Sequence, residues 1–406
     1  MNNGSGSLDH HAQPSIRMMD ADAHEMIPMH MWADAFGEQV AELFAPLSRG
    51  LVSKAGANST FRPDIVADDA AINIDSVWNR KGPDAPSAID LQRRLAVMDV
   101  MGVERQLVFP TFALIGINIF YNEDAAAHFK YEPGTVDRKA AGRLAIDGHN
   151  DWAVRQTGQL GSQRVRPVGV VLTESLPEMM SSAEKLLADG IRALWIPNGE
   201  PPAGTSPADP ALAPFWTLAE SADAPILLHV GTQFAFCKPA WYANVPAFEY
   251  GPKSSVEFPI EPYRASTIHL AVEAFLGAMV LGGVFERHPR LRLGVVECGA
   301  HWVGPLAEKL DLWGGLFQSR LKGTLSMRPS EYIARNVRVT PFHFEPVGAY
   351  MQRHPELSDV YCFGSDFPHV EGGKSPQEQF RQSLAGLGDD IARKFFVTNG
   401  ELLLPA

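Results

Sequence analysis

Cysteine is scarce: three occur in 406 residues, Cys237, Cys298 and Cys362. None falls in a CxxC spacing, which excludes a disulfide framework and a zinc ribbon and fits a reducing, cytoplasmic setting. Positive charge is also in short supply. A net charge of −12 argues against nucleic acid as a partner. Residues 1–15 are polar and rich in Gly and Ser, with no apolar run, so they are expected to form a loose tail and not a signal peptide. No GxGxxG follows the first apolar run, which weakens a dinucleotide-binding sheet. The longest apolar run, 268–285, contains His269 and Glu273, so a buried helix is expected there and not a membrane span.

What is present is a regular alternation. Hydrophobic residues make up 45% of the chain and charged residues 20%, ordinary values for a globular protein. Short apolar runs alternate with segments of helical period, the pattern of parallel β/α units. Eight strands are predicted, at 17–24, 104–111, 165–172, 191–198, 224–231, 291–299, 336–342 and 359–366. Helices are predicted at 88–101, 175–188, 209–222, 263–287, 302–321 and 345–353. The fold class is therefore α/β, a (β/α)8 TIM barrel, with residues 16–406 forming one domain. Two connections, 25–86 after the first strand and 112–134 after the second, are too long for plain barrel loops. Both are rich in aromatics and methionine and both follow strand C-termini, the side on which barrels carry their sites. They are expected either to shape an apolar substrate pocket or to pack a subunit interface, in keeping with a homo-oligomer.

The first strand carries Asp20, Asp22 and His24 at alternate positions, so all three side chains project to one face. By itself this triplet leans slightly toward coincidence. Three further strands end in ionisable groups, however. Ile-Leu-Leu-His-Val-Gly ends the fifth with His229. Val-Val-Glu-Cys-Gly-Ala-His ends the sixth with Glu297 and then His301. Phe-Gly-Ser-Asp-Phe-Pro-His ends the eighth with Asp366, followed by His369 and Glu371. Such groups after apolar runs are costly to bury without a partner, and a divalent metal is the simplest common one.

These pieces, with His-Pro-Arg-Leu-Arg-Leu-Gly before the sixth strand end and Arg-Asn-Val-Arg-Val-Thr-Pro-Phe after it, occur in order from residue 20 to residue 369. In this the chain resembles the amidohydrolase superfamily, in its amidohydrolase-related (amidohydrolase-2) branch. The resemblance implies a (β/α)8 barrel holding a divalent metal through Asp22, His24, His229 and Asp366. The chain departs from the family pattern twice: the usual His-x-His is Asp22-x-His24, and the strand-six histidine typical of decarboxylase members is Glu297.

Glu297 has three readings: a metal ligand able to bridge two ions, a general acid or base, or a carboxylate orienting a histidine ligand. Ligation is favoured, because Asp22 and Glu297 make the site anionic enough for one or two ions of Zn, Fe or Mn. The expected activity is metal-dependent hydrolysis of an acyl bond (amide, ester or thioester, with an acyl-CoA among the candidates) in a bulky apolar small molecule. Asp366 would serve as the base, as its counterpart does in hydrolytic members, with Glu297 and His301 as further catalytic candidates. The alternative is non-oxidative decarboxylation of an aromatic or unsaturated carboxylic acid. Asp20 is expected to support the strand end, His369 and Glu371 to orient a ligand or touch substrate, and His269 to be buried and satisfied.

Overall fold

The computed structural model describes residues 17–51, 59–123, 137–232, 236, 239–248 and 261–406. The predicted tail 1–15, Cys237, and the parts of the two insertions at 52–58 and 124–134 lie outside the described residues. Seven staves carry regular strand pairing: β1 (Met18–Asp20), β2 (Val103–Val108), β3 (Val165–Pro167, resuming as Gly169–Val170), β4 (Leu194–Trp195), β5 (Ile226–His229), β6 (Leu293–Val296) and β7 (Val337–Val339). All neighbours are parallel and in sequence order. Within β3, Val168 N–H donates to Val108 O at 2.9 Å and Gly169 N–H to Ala193 O at 3.1 Å, so the stave leans first on β2 and then on β4.

The predicted eighth strand is not a regular strand. It pairs with β7 through a bridge at Tyr361 and with the first stave through a bridge between Ala23 and Phe367. Backbone hydrogen bonds complete the ring. Cys362 N–H donates to Val339 O (3.0 Å), Ala21 N–H to Phe363 O (3.0 Å), and both Ser365 and Asp366 N–H to Asp22 O (3.2 and 2.8 Å). The eight-stave barrel read from the sequence is thus present, and its seam lies between the eighth stave and the first. Each residue of β5 and β6 is buried, as expected for parallel strands covered on both faces.

The helical shell differs from the prediction in detail. The single helix expected over 263–287 is three pieces, Pro262–Thr267, Leu270–Leu281 and Val284–Arg287, the last break falling at Gly283 with φ of +70°. Pro262–Leu281 is long and apolar enough to cross a membrane. In this structure it is interrupted, and Val272, Phe275, Leu276 and Met279 are buried in the core. A 23-residue helix, Arg138–Leu160, went unpredicted. It packs on a second unexpected helix, Phe112–Tyr121, which occupies the start of the second insertion. Gly116 and Gly142 allow the close crossing: a Cβ on Gly142 would lie 2.6 Å from Gly116 O.

These helices settle what the insertion aromatics do. Phe36 stacks on Phe112 at 4.3 Å, Trp32 lies 4.4 Å from Phe112, and Phe44, Phe61 and Trp152 complete the cluster. All are at most 5% exposed. The described aromatic residues of the two insertions therefore pack mainly on one another and join the barrel's hydrophobic core, where their position had suggested an apolar substrate pocket.

Candidate metal centre

The first stave delivers its polar row as expected. Asp22, His24, His229 and Glu297 each place a ligand-type atom within 4.8 Å of the others, and all four are buried. His24 Nε2 lies 3.3 Å from Asp22 Oδ1, 3.5 Å from Asp366 Oδ1 and 3.9 Å from Glu297 Oε2. His229 Nε2 lies 3.6 Å from Asp22 Oδ1 and 3.5 Å from Glu297 Oε2. Donors bound at about 2.0–2.2 Å to one ion sit roughly 3.0–3.5 Å apart, so the cluster has the span of a slightly open site for a single divalent cation. Asp22 Oδ1 and Asp366 Oδ2 are buried and accept no hydrogen bond. Buried carboxylate oxygens in that state want a cation. The mixed O and N donor set suits Zn, Mn or Fe.

Tautomer and charge are arranged to match. The His229 ring packs against Phe109 and Trp195, and its Nδ1 lies 3.1 Å from Val230 O, which turns Nε2 toward the carboxylates. Burial, aided by the neighbouring His369 ring, holds the His24 imidazole well below its usual pKa, so it is neutral and able to ligate. His369 stacks on His24 at 3.9 Å; its Nδ1 lies 2.9 Å from Asp366 Oδ1 and its Nε2 3.1 Å from Thr111 Oγ1. With both nitrogens engaged, His369 orients Asp366 from behind.

A second quartet, His24, Glu297, Asp366 and His369, shares two members with the first. An imidazole nitrogen binds one ion only, and His369 is committed to Asp366 and Thr111. The donor geometry therefore suits one ion better than the pair that Glu297 could bridge.

Two of these positions are strained. Glu297 has φ of +54° and Asp366 φ of +51°. Left-handed backbone costs a non-glycine residue about 1–2 kcal/mol, and it persists only where its surroundings impose it. Glu297 N–H is fixed by Thr340 Oγ1 at 3.0 Å. Asp366 N–H is fixed by Asp22 O, while Asp20 secures the residue before it: Oδ1 accepts from Ser365 N–H at 2.8 Å, and Oδ2 from Ser365 Oγ and Gln106 Nε2, each at 2.7 Å. Asp20 is thus a support and not a ligand, as its sequence position implied. Burial raises its pKa to about 7 against these hydrogen bonds.

Other candidates fall outside the cluster. His301 is half exposed, with its ring edge-on to His269 at 4.7 Å and its Nδ1 3.8 Å from Glu345 Oε2. Cys298 and Cys362 are wholly buried, and burial pushes both thiols up, Cys362 to about 12. Neither is a nucleophile. Glu371 lines the cleft beside Asp22, Glu297 and Asp366.

Sequence reasoning passed over two residues. Glu345 accepts from the N–H groups of Ala300, His301 and Phe342 and so fixes the turn after Glu297. The sequence places Glu345 as the first residue of the helix predicted at 345–353, whereas it lies two residues before the observed helix Val347–Arg353. Lys81, in the first insertion, is buried near Asp366 and Glu371. No local signal sets Lys81 apart, since Arg49, Lys54, Arg62 and Arg80 occur in the same insertion.

A parallel barrel with five buried ligand-type groups at its C-terminal mouth defines the class: an enzyme of the metal-dependent barrel type. A family model described as amidohydrolase matches residues 121–405, more than half of the chain, and the chain belongs to that family. No curated protein matches it significantly. Among solved structures it is similar to an amidohydrolase from Mycobacterium avium subsp. paratuberculosis K-10, with 18% identity over 97% of this chain and 100% of that one, and a TM-score of 0.66. It is also similar to 5-carboxyvanillate decarboxylase from Sphingomonas paucimobilis (18% identity, 96% and 99% covered, TM-score 0.55). The corresponding enzyme from Novosphingobium aromaticivorans, complexed with manganese and a nitrobenzoic acid, gives 16% identity, 97% of each chain and a TM-score of 0.57. At these identities the likeness establishes the fold.

Proposed function

We propose that the protein is a one-ion hydrolase that cleaves an acyl bond in a small molecule. The observation that carries this reading is the unshared Oδ2 of Asp366, buried beside the ligand quartet while Oδ1 is held by His369. A divalent ion held by Asp22, His24, His229, Glu297 and Asp366 would lower the pKa of a water and polarise the acyl oxygen. Asp366 accepts the proton that water loses on attack and returns it to the departing heteroatom, so the acyl compound plus water becomes an acid plus an alcohol, amine or thiol. His369, anchored on Thr111, keeps the Asp366 carboxyl aimed through this exchange. Glu297 fills the position where decarboxylation would call for a protonating histidine.

Non-oxidative decarboxylation is the second reading. It is put to the same test because structural neighbours are named as decarboxylases of 5-carboxyvanillate and of 2,6-dihydroxybenzoate. Purified protein loaded in turn with Zn, Mn and Fe is assayed against 4-nitrophenyl esters, lactones, anilides, acyl-CoA thioesters and hydroxybenzoates in ¹⁸O-labelled water. Hydrolysis places one labelled oxygen in the acid product. Release of CO2 from a hydroxybenzoate, with no labelled acid from any acyl compound, overturns the hydrolase reading in favour of the second.

A further inference from the structure

We propose that Lys81 anchors a carboxylate that the substrate carries beside its scissile acyl bond, making the preferred substrate an anionic acyl compound such as a dicarboxylic half-ester or a lactone acid. This deepens the hydrolase reading above and rests on it.

Lys81 is 7% exposed, and its Nζ makes no hydrogen bond. No carboxylate oxygen among the described residues lies within 4.0 Å of it. An ammonium withdrawn from water without a partner is strongly disfavoured, so a side chain kept in that state marks a place where a partner arrives. Its position is fixed by backbone. Lys81 is extended after the short helix Ile74–Asn79, and the next residue, Gly82, donates its N–H to Pro368 O at 2.8 Å. Pro368 lies two residues beyond Asp366, so the insertion is clamped against the loop that carries the base. Gly82 sits at φ of +68°, a turn that favours glycine.

Charge at this spot agrees. Burial lowers the Lys81 pKa to about 8, and the Asp366 and Glu371 carboxylates act against that shift. Neither is close enough to pair with it. Asp366 Oδ1 is taken by His369, and Glu371 lies along the cleft with Asp22 and Glu297. The exposed Lys374 adds positive potential on the same side. One ammonium with three donors suits a single carboxylate; a phosphate group is usually gripped by several donors or a forked guanidinium. The same conclusion revises the apolar substrate expected from the insertions, because their described aromatic residues pack mainly on one another.

Two measurements test this. Zn-loaded wild type, Lys81→Met and Lys81→Arg are titrated calorimetrically with glutarate, which needs no turnover. Methionine should weaken glutarate binding about tenfold to a hundredfold, and arginine should restore most of it. Hydrolysis of mono-4-nitrophenyl glutarate and of neutral 4-nitrophenyl pentanoate is then compared. Lys81→Met should raise KM for the anionic ester far more than for the neutral one. Equal glutarate affinity in wild type and Lys81→Met overturns the anchor, and so does equal loss on both esters, which would make Lys81 a neutraliser of Asp366. If wild type binds glutarate through Lys81 yet hydrolyses neither ester nor any other acyl compound, the anchor stands and the hydrolase reading falls.

Discussion

Glu345 is where the turn that presents Glu297 is most exposed to a single substitution. Its Oε1 accepts from Phe342 N–H at 2.8 Å and Ala300 N–H at 3.0 Å, and its Oε2 from Ala300 N–H at 3.0 Å, His301 N–H at 3.1 Å and Tyr350 Oη–H at 3.2 Å. Glu345→Ala strands the wholly buried Ala300 amide, at about 1–3 kcal/mol. The partly hydrated Phe342 and His301 amides lose about 0.5–1.5 kcal/mol each, for roughly 2–6 kcal/mol in all. Local opening of the 297–303 turn should rise accordingly, by roughly thirtyfold to ten-thousandfold. Amide hydrogen exchange read by mass spectrometry on peptides covering 297–303 and 340–346 measures this directly. Glu345→Gln keeps one accepting oxygen and should fall about midway. Because Glu297 sits three residues upstream, metal affinity should drop alongside protection. Wild-type exchange and metal affinity in Glu345→Ala would refute the argument, since water would then satisfy those amides and the turn would hold without Glu345.

Three further outcomes follow from the same geometry. Metal analysis should return about one ion per chain, His229→Ala should lose it, and chelation should lower the Tm of wild type but not of that variant; two ions per chain in wild type would contradict the single-cation span. Asp366→Asn keeps an oxygen for His369 but removes the proton acceptor, so kcat should fall roughly 10²–10⁴-fold while metal occupancy stays above half, and near-normal kcat would remove Asp366 as base. His149 is wholly buried beside Val168 O, and burial lowers its pKa to about 4 from 6.5. The folded state thus binds this proton less tightly than the unfolded chain. Its contribution is complete above pH 6.5 and is lost as pH falls toward 4, about 2 kcal/mol between pH 8 and 5. Urea titrations at both pH values should show that loss in wild type and a smaller one in His149→Gln.

The ligands were legible in sequence for a definite reason. His229 ends one buried four-residue strand and Glu297 directly follows another, so each ionisable side chain announces a strand terminus and a cost at once. The eighth stave was legible through the same contrast, although only Tyr361 and Phe367 form bridges in it. The helix Arg138–Leu160 was not, because its buried face is mostly Ala141, Gly142, Ala145 and Ala153, with Ile146, His149 and Trp152 its larger members. Small residues leave no apolar stripe for a periodicity argument to find. Phe112–Tyr121 failed for the opposite reason: Phe112 through Phe120 are all buried, so no polar face marks the helical period. Lys81 and Glu345 act through tertiary neighbours far away in sequence, and nothing local distinguishes them from surface charge.

The barrel's seam has a consequence for how the protein comes apart. Between the eighth stave and the first there is no regular ladder; the carbonyl of Asp22 takes two amides, and the same residue's carboxylate faces His24 and His229. Backbone closure and ligand assembly thus share one residue, and a cation that gathers the carboxylates also draws the two edges of the sheet together. By linkage, whatever free energy the ion gains from the closed ring is the free energy by which it resists opening there. The cation would then work as a clasp, and loss of the ion should first loosen the barrel along 20–24 and 361–369, before any part of the helical shell.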